Sequence, residues 1–112
     1  MTSDLPAPLR QLPDAGETTA AEAGVAAALA RLRRLGTEPA TWSNAPGDRY
    51  APHEHGYTKL LVCAEGSIVF LVGPDEIPVE LRAGEGFELP PATRHAAVVG
   101  PTGCTCAEGH RP

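Results

Sequence analysis

From residue 37 to the end of the chain, apolar positions come in short runs, and nearly every run is bounded by glycine or proline. The runs at 40–43, 57–63, 67–72, 77–81, 87–89, 95–99 and 104–108 have the length of β-strands. Between them stand Pro46-Gly47, Glu65-Gly66, Gly73-Pro74, Gly84-Glu85-Gly86, Pro90-Pro91 and Gly100-Pro101. Such pairs punctuate strands, because glycine reaches backbone conformations closed to other residues and proline lacks the N–H that a ladder needs. Many short strands at nearly regular spacing predict an all-β sandwich or small barrel. The runs at 60–64 and 68–72 are apolar at successive positions, so both faces need a cover. The barrel interior is one cover. The N-terminal helix or a second subunit is the other, and the latter choice gives the expectation of a homodimer.

Upstream the period changes. Val25, Ala28, Leu29, Leu32 and Leu35 recur at helical spacing and make a narrow apolar stripe. The pattern predicts one short α-helix over 18–36, with Thr19 and Glu22 at capping-box spacing and Gly36 where a C-terminal cap belongs. An alanine-rich helix of this length needs tertiary packing to persist. Residues 1–17 carry Pro6, Pro8 and Pro13 among polar residues without a period, and read as an irregular arm available for docking. The chain thus divides into an arm (1–17), a helix (18–36) and a β-barrel domain (37–112).

Length and charge narrow the function classes. A chain of 112 residues makes one domain with a modest core. Nine basic against fourteen acidic residues leave a formal charge of −5, which disfavours nucleic acid as a partner because duplex binding needs clustered cations. Arg31, Arg33 and Arg34 cluster only at the end of the predicted helix, where cations suit the helix dipole. No apolar run approaches the roughly 18 residues of a membrane span, and Met1-Thr2-Ser3-Asp4 does not resemble the start of a signal peptide. Three cysteines without zinc-like pairing suggest a reduced, cytoplasmic protein. Cys63 suits a buried small apolar position. Cys104, Cys106, Glu108 and His110 alternate along one strand face, readable as core thiols or as a second metal or redox cluster.

The chemistry concentrates in His53-Glu54-His55 and in His95. Residues two apart on a strand share a face, so His53 and His55 project together, with Tyr57, Lys59 and Leu61 continuing the row. A third imidazole from a strand crossing the same barrel would complete a facial set of three nitrogens, which suits Zn, Fe, Ni or Cu and leaves positions open for water or substrate.

These residues resemble the cupins. Gly47, five residues, His53-x-His55, three residues, Lys59, six residues and Gly66 follow the first cupin motif, with Lys59 where that motif has glutamate. Gly84, five residues, Pro90-Pro91-Ala92, two residues, His95, three residues and Val99 follow the second, with Ala92 for the usual glycine and Val99 for the usual asparagine. The resemblance spans about residues 40 to 110. It implies an antiparallel jelly-roll, or double-stranded β-helix, barrel. It also implies one divalent metal ion (Fe, Zn, Ni or Mn) held by His53, His55 and His95.

Lys59 sets this chain apart, since an ammonium stands where a carboxylate would offset metal charge. It either bends away to pair with an acid or a bound ligand, loses its proton to become a base, or marks a pocket without metal. The first outcome is favoured, with Lys59 assisting an anionic ligand. Tyr57 can place its hydroxyl in the cavity or simply fill space. Arg49 and Arg94 near the motifs are further anion-binding candidates. The resemblance implies a metal-dependent enzyme, dioxygenase- or isomerase-like, acting on a small oxygen-donor molecule. The alternatives are a non-catalytic small-molecule-binding cupin and a structural barrel with a vestigial site.

Overall fold

The computed structural model describes residues 5–13 and 24–112. The described residues form six strands: β1 (Ala40–Asn44), β2 (Arg49–His53), β3 (Thr58–Val72), β4 (Ile77–Arg82), β5 (Gly86–Leu89) and β6 (His95–Arg111), preceded by α1 (Val25–Arg34). All pairings are antiparallel. The long ladder of β3 with β6, from Thr58↔Arg111 to Val72↔His95, is the spine of the molecule. β1 pairs the 104–108 half of β6 and β5 the 59–62 half of β3, while β2 and β4 take the opposite halves. Two sheet layers therefore share two strands, which is the jelly-roll arrangement anticipated above.

Two pairs of expected strands are single strands. The runs at 57–63 and 67–72 are both β3, and those at 95–99 and 104–108 are both β6. Gly66 and Gly103, at φ 73° and φ 81°, lie against each other where the β3–β6 register shifts. A methyl on Gly66 would overlap the Gly103 carbonyl oxygen. These glycines bend continuous strands from one layer into the next, as bulges do, so the breaks at Glu65-Gly66 and Gly100-Pro101 fall inside strands and not at their ends. Conversely, β2 was not anticipated as a strand. Its five residues are all exposed and include Pro52, so no alternation betrays it.

Between the layers lies a core built on Leu61, Ile68, Phe70, Leu81, Phe87 and Val99, joined by Cys63, Cys104 and Cys106. On the outer face Leu60, Val62, Ala64 and Ala107 pack under α1 through Ala28 and Leu32. The helix, then, covers the second face of the 60–64 run. Burial of Leu32 alone is worth about 2 kcal/mol.

The described helix begins with Gly24 (φ 107°) as its N-cap, whose N–H donates to Ala64 O at 3.0 Å. Thr19 and Glu22 lie outside the described residues. At the other end Gly36 (φ 89°) follows the last turn. Its N–H reaches Arg33 O and that of Thr37 reaches Leu32 O, the double closure of a Schellman cap.

Part of the N-terminal arm docks. Leu9 enters the inner core and Leu12 the outer one, and the backbone of Arg10 exchanges two hydrogen bonds with Glu88 of β5. Glu88 also accepts from Arg111 at 2.9 Å, tying the arm to the end of β6.

Candidate metal centre

His53 closes β2 directly opposite His95, which opens β6. His55 follows in the short turn that leads into β3. Its carbonyl accepts from Ala92 N–H at 2.8 Å, which fastens this turn to the loop before His95. Ala92 has φ 61°, a left-handed conformation that glycine adopts freely and alanine only at a cost. The glycine usual at this motif position therefore has a backbone reason, and this chain accepts the strain at the site.

The three rings converge. Centroids are 4.3 Å apart for His53–His95, 4.8 Å for His53–His55 and 5.2 Å for His55–His95. One nitrogen from each lies within 4.8 Å of the others, and this is the one such cluster found among the described residues. Nδ1 of His53 meets Ala51 O at 2.7 Å and Nδ1 of His95 meets Thr93 O at 2.8 Å. A backbone carbonyl holding Nδ1–H fixes the tautomer in which Nε2 keeps its lone pair. The Nε2 atoms of His55 and His95 are buried and have no hydrogen-bond partner. Buried nitrogens without partners are costly, and a shared cation answers that cost. Burial, opposed by the Thr93 bond and assisted by nearby positive groups, pushes His95 down to about 4. Burial, with Lys59 and His53, lowers His55 too. Both rings are therefore neutral at pH 7, the form that ligates metal. The residues fit the ion that the motifs imply: three imidazoles converge, and two of their nitrogens have no other partner.

The continuous row expected from His53 to Leu61 is broken. β2 ends at His53, the chain turns, and Leu61 lies wholly in the core. Tyr57 and Lys59 nevertheless line the same cavity of about 290 Å³, with Trp42, Tyr50, Phe70 and Glu108. Tyr57 stacks between His55 (4.9 Å) and His110 (4.1 Å). Its phenol is raised by burial and by the charge of Glu108, so it stays protonated.

Lys59 pairs with an acid. Its Nζ lies 3.4 Å from Glu108 Oε1, both side chains being largely buried. Glu108 Oε1 also accepts from Trp42 Nε1 at 2.8 Å, and Oε2 pairs with His110 Nε2 at 2.7 Å. Burial alone would raise the Glu108 carboxyl, but the His110 bond, the Lys59 charge and the Trp42 bond outweigh it and hold the group below its ordinary range.

Glu108 is a site residue that the sequence analysis named only within the alternating set of Cys104, Cys106 and His110. Its parity with Cys104 and Cys106 gave the signal: both thiols point into the core, so the next residue of the same parity does too. Those cysteines are free and buried, and they form no second cluster with Glu108 and His110. Arg49 and Arg94 are exposed and do not line the cavity.

Known proteins share this fold. Residues 40–106 match the model of the AraC-like ligand binding domain. Over 64 residues, 57% of the chain, the sequence is 34% identical to the dimethylsulfoniopropionate lyase DddW of Ruegeria pomeroyi, of whose length it spans 41%. An RmlC-like cupin from Shewanella frigidimarina superposes with a TM-score of 0.59 at 27% identity, covering 67% of this chain and 65% of that one. YcfD, a ribosomal oxygenase of Escherichia coli, superposes with a TM-score of 0.64 over 78% of this chain and 27% of its own. At 23% identity that likeness speaks for the fold alone.

Proposed function

Because the chain belongs to the AraC-like ligand-binding domain family and has an RmlC-like cupin fold, we propose that it is a metal-dependent enzyme acting on a small molecule with oxygen donors. The observation that carries this reading is the pair of buried, unpartnered Nε2 atoms of His55 and His95, beside His53, in a cavity that also receives Tyr57 and Lys59.

A divalent cation held by three imidazoles supplies Lewis acidity toward an oxygen donor, and a redox-active ion also supplies electrons to oxygen. The chain's own residues do the rest. Phe70, Trp42 and Ala97 wall the cavity with apolar surface and limit water. Tyr57, protonated at neutral pH, donates a hydrogen bond or a proton to an oxygen gaining negative charge. Lys59 offers a positive charge to the same region. A volume of about 290 Å³ sits at the small end of ligand sites, near 300 Å³, so the substrate is compact.

The test has two stages. Elemental analysis of protein purified without added metal is expected to give about one equivalent, falling below about a tenth in His95→Ala. Oxygen uptake with thiols, diketones and phenols, and elimination from dimethylsulfoniopropionate, are then measured on the loaded protein. Turnover that needs both metal and His95 supports the reading. If no substrate turns over while small ligands still raise the melting temperature, the enzyme reading fails. The second reading, a non-catalytic ligand-binding cupin, would then stand, and the description of the matched family favours it.

A further inference from the structure

The charges in the cavity carry more than the metal ligands do. Where the first cupin motif has a carboxylate, this chain has the Lys59 ammonium, and its carboxylate, Glu108, arrives instead from β6. Glu108 is already engaged on both oxygens. Trp42 Nε1 and Lys59 Nζ approach Oε1, and His110 Nε2 approaches Oε2. A carboxylate held from three sides is a fixed counter-ion and not a spare ligand. Lys59 is the opposite case. An ammonium has three donors, and among the described residues Glu108 is its one ion-pair partner. Their separation of 3.4 Å exceeds the ~2.7–2.9 Å of a well-formed charge-assisted hydrogen bond. Donor capacity therefore remains on a cation that lines the cavity wall.

With a divalent ion on the three imidazoles, Glu108 cancels Lys59 and the ion's two charges stay uncompensated. A cavity of low polarity with that balance selects an anion. Its apolar walls, Trp42, Phe70 and Ala97, suit a short hydrocarbon.

We propose that Lys59, held in place by Glu108 and Trp42, is the anion-recognising residue of this cavity, and that the ligand is a small aliphatic carboxylate reaching the imidazole-held ion and the Lys59 ammonium together. This inference rests on the three-histidine metal reading and adds the ligand's chemical class to it. Glu108 and Trp42 are positioning residues, acting through Lys59.

The test uses the full chain loaded with Co(II), whose visible absorption reports changes at the ion, and titrates propionate, propionamide and inorganic phosphate by calorimetry. Propionate is expected to bind and to change the cobalt spectrum, with propionamide and phosphate at least tenfold weaker. Lys59→Met is expected to weaken propionate at least tenfold while Co(II) still loads. Since that variant strands Glu108 without its partner, the double variant Lys59→Met/Glu108→Gln is measured beside it and should show the same loss. Propionate binding that is unchanged in the double variant, or equalled by propionamide or phosphate, overturns the inference. So does the absence of propionate binding to the loaded protein. If Co(II) itself does not bind, the metal reading fails separately, and the titration is repeated on the metal-free chain. There, propionate binding that depends on Lys59 supports the anion site alone, and its absence overturns it.

Discussion

Replacing Glu108 with glutamine removes one charge and almost nothing else. The amide keeps an oxygen to accept from Trp42, and its NH2 group takes the place of the oxygen facing His110 Nε2. Lys59 is left with an ammonium whose side chain is only 12% exposed, facing a partner that no longer carries charge. At 3.4 Å and an effective dielectric of about 20, the gross attraction lost is about 5 kcal/mol. Breaking a buried pair by removing one member costs about 3–5 kcal/mol, and the residual exposure of this pair lowers the expectation to about 2–3 kcal/mol. For a domain of this size that is a fall in Tm of roughly 10 °C. Urea unfolding at pH 7 of wild type, Glu108→Gln, Lys59→Met and the double variant measures it. The double variant should recover much of the loss, giving a coupling energy of at least about 1 kcal/mol. Because the folded-state carboxyl lies below its unfolded value near 4.5, the contribution is present above that pH and disappears as pH falls through the folded value. A Glu108→Gln protein within about 0.5 kcal/mol of wild type, or strictly additive variants, would refute the reasoning.

Three other outcomes are expected. In metal-free protein, His95 at about 4 against 6.5 unfolded means that the unfolded chain takes up the proton first; stability is complete above 6.5 and falls by roughly 3 kcal/mol toward pH 4, and His95→Gln flattens that slope in acid titrations followed by circular dichroism. Gly66→Ala adds a methyl against the Gly103 carbonyl at φ 73° and should cost at least about 3 kcal/mol in denaturant unfolding; a loss below about 1 kcal/mol would mean the strand corner has slack. At Ala92, glycine relieves a strain of about 1 kcal/mol but gives up a similar amount of chain entropy, so Ala92→Gly should unfold near the wild-type midpoint, whereas the β-branched Ala92→Val should lose at least about 2 kcal/mol.

Much of the fold was legible because burial writes short apolar runs into strands. The runs around Leu60, Ile68, Val79 and Phe87 located β3, β4 and β5, and the Leu32 stripe located the helix. β2 was illegible for the same reason in reverse: five exposed residues bury nothing and leave no pattern. The continuity of β3 and β6 was hidden because Glu65-Gly66 and Gly100-Pro101 look like stops, and only the contact of Gly66 with Gly103 shows that the strands bend there. At the site, the spacing of the motifs singled out His53, His55 and His95, which the fold brings together, as well as the departure at Lys59. Glu108 lies 49 positions from Lys59, and nothing local in the sequence joins them; the pairing exists only through the β3–β6 register.

The way the three imidazoles are mounted has a kinetic corollary. His95 is set in a buried strand that shares the longest ladder of the protein, whereas His53 and His55 hang on a fully exposed edge ribbon and the turn after it. One jaw is rigid and the other is held mainly by backbone hydrogen bonds open to solvent. A cation seated there would act as a clasp on the loose jaw, slowing amide exchange in β2 while leaving β3 untouched. Ion release would then follow the local opening of that ribbon and would not require unfolding of the barrel.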